Sequence, residues 1–199
     1  MSAAHSRFMG TEKKIAILGW GSLLWEVRDD FDRWHGQWLS DGPSLKLEFS
    51  RISTTRRGAL TLVIDPSHGA LTEVSYCLSN RHKPGDAIGD LQRREGMPTS
   101  NNVGFLDCSQ KSTKHGDDEI YNHIRTWAVH RSIDIVIWTA LPSNFAERVG
   151  LPFSVPNAIS YLKNLNAAGK EKAVEYINQA PTFIQTPLRI ALEGDPWFK

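Results

Sequence analysis

An apolar run that ends in a glycine turn, "IAILGWGSLLWE" at residues 15–26, places the strongest constraint on the fold. Residues 15–20 predict a buried strand, because an unbroken apolar run suits a strand that is covered on both faces. Gly19 and Gly21 follow at its end, and glycine adopts backbone angles that other residues resist. The turn is therefore expected to bring bare backbone close to another part of the molecule.

Further segments of the chain have the pattern of strands. Residues 45–51, 59–65 and 71–79 lie close together with short turns between them, which favours a largely antiparallel sheet. Residues 133–141 are strongly apolar and predict a central strand. The expected core residues of the 71–79 segment are Leu71, Val74, Tyr76 and Leu78.

Residues 86–95 change to a helical period. Ile88, Leu91 and Glu95 fall on one face, Gly96 can stop the helix, and Pro98 prevents its continuation. Glu95 is therefore expected on the core side of the last helical turn. There, burial and the negative end of the helix dipole both raise the pKa of a carboxyl group.

Two more helical regions complete the predicted fold. One is capped by Asp117 or Asp118 and runs to about Arg131, with Ile120, Ile124 and Trp127 on one face. The other is a hairpin of residues 157–167 and 170–179, broken at Gly169. The sequence thus predicts an α+β domain over residues 14–199, with a curled, barrel-like sheet and a C-terminal helical elaboration. Residues 1–13 are predicted to form a flexible tail.

Composition narrows the range of functions. The net charge of +1 gives no sign of a nucleic-acid partner, and no apolar run approaches the length of a membrane helix. The N-terminus lacks the apolar middle of a signal peptide. Cys77 and Cys108 match no zinc pattern and are interpreted as reduced thiols, so a cytoplasmic location is expected. The sequence does not indicate an oligomeric state.

The glycine turn has two interpretations. A dinucleotide fingerprint fails because position 24 is Leu, and there is no P-loop lysine. Gly19–Leu23 can be a tight turn alone. Alternatively, its backbone N–H groups and the Ser22 hydroxyl form a nest for a carboxylate or a developing oxyanion.

Glu95 also has two interpretations. A carboxyl group with a raised pKa beside a cleft is a good general base. It can equally be a structural partner of Arg51, Arg56 or Arg57.

Histidines and acidic residues do not predict a metal site. His123 and His130 lie about 10 Å apart along a helix, too far for one ion to join them, and His115 falls in a polar loop. The acidic run at residues 29–32 is interpreted as a solvated turn or a helix start. No metal and no cofactor is expected.

The stretch "ILGWGSLLWE" and the later "IGDLQRREGM" resemble the γ-glutamyl cyclotransferase-like superfamily, which includes the ChaC-type and AIG2-like proteins. The resemblance covers residues 15–107 and implies a small mixed barrel. It also implies that Trp20, Gly21, Ser22 and Leu23 bind a γ-glutamyl group while Glu95 is the acid/base. Two departures stand out: Trp20 replaces the usual tyrosine of the first motif, and Met97 replaces an aromatic residue after the second.

The activity that this resemblance implies is cyclisation of a γ-glutamyl amide to 5-oxoproline with release of an amine. The α-amine of the substrate attacks its own γ-carbonyl, so the nucleophile is already tethered. One of the arginines on the predicted strands, with Arg51 the first candidate, would hold the α-carboxylate. The alternative is a binding module that keeps the pocket for a small acidic metabolite without catalysis.

Overall fold

The computed structural model describes residues 12–110 and 118–198, and these residues form an α+β fold. The predicted tail at residues 1–13 lies almost wholly outside the described residues, as do His115 and the predicted cap at Asp117. The strands are β1 (Ile15–Gly19), β2 (Ser44–Ile52), β3 (Leu60–Ile64), β4 (Ala70–Glu73), β5 (Ser75–Leu78), β6 (Val103–Asp107) and β7 (Ile135–Thr139). The helices are α1 (Asp29–Asp32), α2 (Pro84–Arg94), α3 (Asp118–His130), α4 (Phe145–Val149), α5 (Val155–Asn164), α6 (Ala167–Gln179) and α7 (Pro187–Glu193).

The first sheet has the strand order β5-β1-β7-β6. β1 runs parallel to β7 and antiparallel to β5, and β6 runs antiparallel to β7. Every residue of β1 and the first four residues of β7 are buried, which explains why both strands are unbroken apolar runs. The prediction that the 133–141 segment contains a central strand is confirmed.

The second sheet has the order β3-β2-β4 and is antiparallel throughout. The predicted 71–79 strand is in fact two strands, because the chain leaves the second sheet at Val74 and enters the first. Leu71 was wrongly predicted as a core residue and is 62% exposed. Side chains of a strand alternate, so Thr72, Val74 and Tyr76 face inward and Leu71 must face solvent.

The two sheets do not form a closed barrel among the described residues. Even-numbered side chains of β1 face a large apolar cluster shared with the second sheet, α3, α5, α6 and α7. Odd-numbered side chains of β1 face a smaller cluster that also contains Leu91 of α2. The first sheet is therefore covered on one face by α2 and on the other by the second sheet and the C-terminal helices.

The helical hairpin is present, but its break was placed wrongly at Gly169. α5 ends at Asn164, and α6 begins after Asn166, whose side chain caps the helix by accepting from the Gly169 N–H at 2.9 Å. A Cβ atom at Gly169 would lie 2.8 Å from the Arg57 carbonyl oxygen. The glycine therefore permits close packing inside the helix and does not end it.

The remaining helices agree with their predicted faces. Ile124 of α3 is fully buried, with Ile120 and Trp127 packed at the edge of the same cluster. The acidic run at residues 29–32 is α1, a single helical turn. Within the described ranges, no helix has the length and apolar character that crossing a membrane requires.

Candidate functional site

Helix α2 ends in a Schellman motif that fixes the position of Glu95. Glu95 is the C-cap, and Gly96 follows with a φ of 64°, in the left-handed region that glycine adopts without strain. The Gly96 N–H donates to the Arg93 carbonyl oxygen at 3.1 Å, and the Met97 N–H donates to the Gln92 carbonyl oxygen at 3.0 Å. These two bonds complete the motif. The predicted stop at Gly96 is confirmed.

One oxygen of the Glu95 carboxyl group is withdrawn from water and poorly satisfied, although the side chain as a whole keeps 19% of its exposure. Its Oε1 atom is buried and has no hydrogen-bond partner among the described residues. The nearest cation is Arg94, whose Nη1 lies 3.8 Å from Oε1, beyond hydrogen-bond distance. Burial raises the pKa of Glu95, and the charges of the neighbouring arginines oppose this increase without cancelling it.

The structural interpretation of Glu95 predicted an ion pair with Arg51, Arg56 or Arg57. No such pair is present in the described part of the chain. Arg56 is instead paired with Glu26, and the side chain of Arg51 donates to the Pro142 carbonyl oxygen at 2.6 Å.

The glycine turn after β1 is a short 3₁₀ segment, Gly21–Leu24. Gly21 has a φ of 60°, and a Cβ atom there would lie 2.5 Å from the Tyr176 hydroxyl oxygen. Gly19 has a different role, because a Cβ atom at Gly19 would lie 2.3 Å from the Trp38 ring. Each glycine is therefore required by the close approach of an aromatic side chain.

A cavity of about 530 Å³ lies between the turn and the end of α2, within the usual size range of small-molecule sites. Gly19 and Gly21, which were also predicted as site residues, are not among the residues that line it. Its walls include five of the seven candidate site residues, namely Trp20, Ser22, Leu23, Arg51 and Glu95.

Unsatisfied polar atoms are concentrated at this cavity. Among the described residues, five buried side-chain polar atoms have no hydrogen-bond partner. Three of them belong to residues that line the cavity: Glu95 Oε1, Arg94 Nε and Thr139 Oγ1. Buried polar groups normally find partners within the protein or in ordered water, so this concentration marks a place where a ligand can supply them.

Arg94 connects the turn to the helix end. Its Nη2 donates to the Ser22 carbonyl oxygen at 2.9 Å and to the Glu26 carbonyl oxygen at 3.1 Å. The side chain is buried, and burial lowers its pKa. Sequence reasoning treated Arg94 only as part of a motif, although its position next to Glu95 was the available signal.

Tyr176 was not predicted from the sequence. It comes from α6, lines the cavity and places its phenol next to the glycine turn. Burial and the charge of Glu95 raise the pKa of this phenol, and the nearby backbone groups of Ser22 and Leu62 oppose the increase without cancelling it. A phenol from the C-terminal helices therefore lies beside the motif in which Trp20 replaces the usual tyrosine.

The cavity is strongly basic, although the whole chain carries a net charge of only +1. Glu95 is the single carboxylate among the described residues that line it. Five arginines line the same cavity: Arg28, Arg51, Arg56, Arg94 and Arg148.

Glu26 lies behind the cavity wall and neutralises part of this charge. It contacts Arg56 directly, and its Oε2 lies 3.6 Å from Arg28 Nη2 and 3.7 Å from Arg94 Nη2. The arginines near Glu95 are thus organised around one carboxylate.

The histidines provide no alternative centre. Within residues 12–110 and 118–198, no three His, Cys, Asp or Glu side chains are grouped closely enough to hold a metal ion. Cofactor independence remains a prediction.

No protein-family model matches the chain, and comparison with curated proteins finds no significant match. The chemistry of the site is therefore inferred from the residues that line the cavity.

Proposed function

We propose that the protein is a γ-glutamyl cyclotransferase-like enzyme that cyclises a γ-glutamyl amide to 5-oxoproline and releases an amine. One observation carries this proposal. Glu95 presents a buried, unpaired carboxyl oxygen at the wall of a cavity that the glycine turn also lines. A carboxyl group in this state contributes little to the stability of the fold and is suited to proton transfer.

Glu95 acts as the general base and then as the general acid. Its raised pKa brings it closer to that of an amine, which makes proton transfer more favourable. It accepts a proton from the substrate's α-ammonium, and the α-nitrogen attacks the γ-carbonyl carbon. The amide C–N bond then breaks, and Glu95 returns this proton to the departing amine nitrogen. The α-nitrogen loses a second proton as it becomes the lactam N–H, and this proton also ends on the amine, which departs as an ammonium ion.

Hydroxyl groups at the glycine turn stabilise the oxyanion that forms at the γ-carbonyl oxygen. The sequence interpretation assigned this role to the backbone N–H groups of the turn together with the Ser22 hydroxyl. We assign it to the Tyr176 and Ser22 hydroxyls, which both belong to cavity-lining residues.

The arginines near Glu95 bind the α-carboxylate of the substrate. Arg94, Arg28 and Arg56 are the arginines whose charges act on the pKa of Glu95. The α-carboxylate and the α-ammonium share one carbon atom, so an ammonium at Glu95 places the carboxylate beside these arginines. Each of the three already has partners: Arg94 and Arg28 donate to backbone carbonyls, and Arg56 is paired with Glu26. Arg94 Nε has no partner among the described residues and is a donor that the carboxylate can use.

The resemblance of the two motifs supports a fold related to the γ-glutamyl cyclotransferase-like barrel, here with its two sheets open. A cytoplasmic location accords with Cys77 and Cys108, which are both free thiols.

The test is product analysis by mass spectrometry with a panel of γ-glutamyl compounds. We expect 5-oxoproline and free amine in equal amounts, and a rate that falls by roughly 10² to 10⁴ in Glu95→Gln. Turnover should survive dialysis against EDTA. Tight binding of a γ-glutamyl compound without release of amine would establish the binding-module alternative instead.

A further inference from the structure

The Glu26 side chain contacts arginines of the cavity without lining the cavity itself. Its Oε1 forms an ion pair with Arg56, while its Oε2 lies 3.6 Å from Arg28 Nη2 and 3.7 Å from Arg94 Nη2. Arg56 lies in the turn between β2 and β3, Arg28 lies directly before α1, and Arg94 ends α2. One carboxylate therefore joins three separate segments that line the cavity.

The connection between the glycine turn and α2 does not depend on the Glu26 side chain. Arg94 makes this connection by donating to the carbonyl oxygens of Ser22 and Glu26. The Glu26 N–H also donates to the Ser22 carbonyl oxygen at 2.9 Å. All these partners are backbone atoms, which remain when the Glu26 side chain is changed. The side chain keeps 28% of its exposure, and ion pairs in such a position contribute little to stability. The carboxylate is therefore available for a role other than holding the chain.

Arg56 is the arginine that Glu26 contacts most closely, and its guanidinium is oriented by a second contact. The guanidinium carbon lies 4.8 Å from the centre of the Tyr176 ring, within the range of a cation–π interaction. The turn that carries Arg56 is closed by the Gly58 N–H, which donates to the Ser53 carbonyl oxygen at 2.9 Å. Arg56 uses Nη2 for Glu26 and makes no other side-chain hydrogen bond to the described residues. Its remaining donors are left for a bound anion.

Loss of the Glu26 charge would affect the three arginines unequally. Within the described part of the chain, Arg28 and Arg56 have no other carboxylate at ion-pair distance, and Arg94 has only Glu95. Arg94 would keep its backbone acceptors, and Arg28 would keep its bond to the Arg94 carbonyl oxygen at 3.3 Å. Arg56 would keep only the ring contact. Because like charges repel, Arg56 is the side chain expected to move.

We propose that Glu26 is a positioning residue for the cyclisation, which holds the Arg56 guanidinium against the Tyr176 ring so that Arg56 binds the α-carboxylate of the substrate. This inference rests on the proposed cyclotransferase activity. Glu26 does not line the cavity, so it acts through Arg56 and not on the substrate.

A double-mutant cycle tests this role, with the γ-glutamyl compound that the wild-type protein converts fastest to 5-oxoproline. Glu26→Gln should raise KM by roughly 10-fold, the size of one hydrogen bond to a charged group, and leave kcat within about threefold because Glu95 is intact. Arg56→Gln should raise KM to the same extent. The double variant should be no worse than Arg56→Gln alone, because Glu26 then has no Arg56 to position. Glu26→Asp should recover part of the loss.

Asp41→Asn is the matched control, because Asp41 pairs with Arg131 at 2.7 Å and Arg131 lies over the Tyr76 ring. None of these three residues lines the cavity, so KM and kcat should stay at the wild-type values.

Several outcomes would overturn the positioning role and leave the proposed activity in place. An unchanged or lower KM in Glu26→Gln would show that Glu26 does no more than weaken the attraction of the arginines for anions. KM increases that multiply in the double variant would show that Glu26 acts independently of Arg56. An unfolded Glu26→Gln variant, detected by circular dichroism, would make Glu26 a structural residue. Absence of 5-oxoproline with the wild-type protein would overturn the proposed activity, and the positioning role with it.

Discussion

Glu48 and Glu95 are both carboxyl groups withdrawn from water, but the protein treats them in opposite ways. Glu48 is fully buried on β2, and burial raises its pKa. Its Oε1 accepts from the Phe49 N–H at 2.7 Å and its Oε2 from the Leu188 N–H at 3.2 Å, with a further hydrogen bond to Thr186. Burial also raises the pKa of Glu95, whose Oε1 has no partner among the described residues.

The difference separates structural burial from functional burial. Glu48 receives a backbone N–H from the first turn of α7, so it fastens the C-terminal helix to the second sheet. Glu95 lines a cavity, and its Oε1 accepts no hydrogen bond from the described residues. A raised pKa by itself therefore does not identify a catalytic carboxylate, and the hydrogen-bond partners decide between the two roles.

The largest expected effect is on turnover. Glu95→Gln should reduce kcat by roughly 10² to 10⁴, because an amide cannot accept the proton. Glu48→Gln should retain kcat at temperatures where the variant is folded. The measurement is 5-oxoproline release with circular dichroism as a check of folding. Comparable losses of kcat in both folded variants would show that hydrogen-bond partners do not distinguish a structural carboxylate from a catalytic one.

The second expectation concerns stability, where Glu48→Gln should have the larger effect of the two variants. Glu48→Gln should lower the free energy of unfolding by about 2–3 kcal/mol at mildly alkaline pH, because an amide NH₂ would face a backbone N–H donor. Glu95→Gln should leave the stability level or slightly higher, since it removes a desolvated carboxyl group. Urea denaturation followed by tryptophan fluorescence measures both. An unfolded Glu95→Gln variant would make Glu95 a structural residue.

The third expectation concerns pH. A raised pKa means that the folded protein binds more protons than the unfolded chain between the ordinary glutamate pKa and the raised one. Such a group contributes to the free energy of unfolding at lower pH. This contribution is lost as the pH rises through the pKa of the folded state, by at most about 1.4 kcal/mol per pH unit for one proton. Glu95→Gln should therefore flatten the decline in unfolding free energy across this window. An unchanged slope would mean that the pKa of Glu95 is not raised.

A smaller effect is expected at the phenol beside the glycine turn. Tyr176→Phe should lower kcat by roughly 10²-fold, because it removes one donor to the oxyanion. Tyr161→Phe is the matched control, since its hydroxyl donates to the Gly58 carbonyl at 2.9 Å and it does not line the cavity. Equal kcat in the two variants would exclude Tyr176 from the reaction.

The smallest expected effects compare two unpaired hydroxyls, Thr139 at the cavity and Ser50 in the core. Thr139→Val and Ser50→Ala should each leave the stability unchanged or raise it by at most about 1 kcal/mol, because each removes an unsatisfied buried group. Only Thr139→Val should raise KM. A KM increase in Ser50→Ala would show that the distinction between cavity and core does not hold.

Local features of the site could be predicted because the forces behind them are local. The stop at Gly96 depends on hydrogen bonds within α2 and on one glycine backbone, so the sequence contains all of it. The helical face was predicted only in part: Leu91 is fully buried, whereas Ile88 and Glu95 are half-buried beside a face that carries Ala87, Asp90 and Arg94. The prediction that Leu71 is a core residue was wrong because it did not follow the alternation of side chains along the strand. The helix break predicted at Gly169 was wrong because a glycine needed for close packing cannot be distinguished in the sequence from one that ends a helix.

The sequence by itself determined the strands β1 and β7 and the end of α2, since periodicity and glycine chemistry act over a few residues. Only the tertiary structure decided which groups meet at the cavity. Arg94 reaches Ser22 across 72 positions of the chain, and Tyr176 and Arg148 come from helices with no local signal for this site. The division into two sheets at Val74 was likewise decided by long-range pairing. Contacts of this kind depend on how separate elements pack, which local residue patterns do not encode.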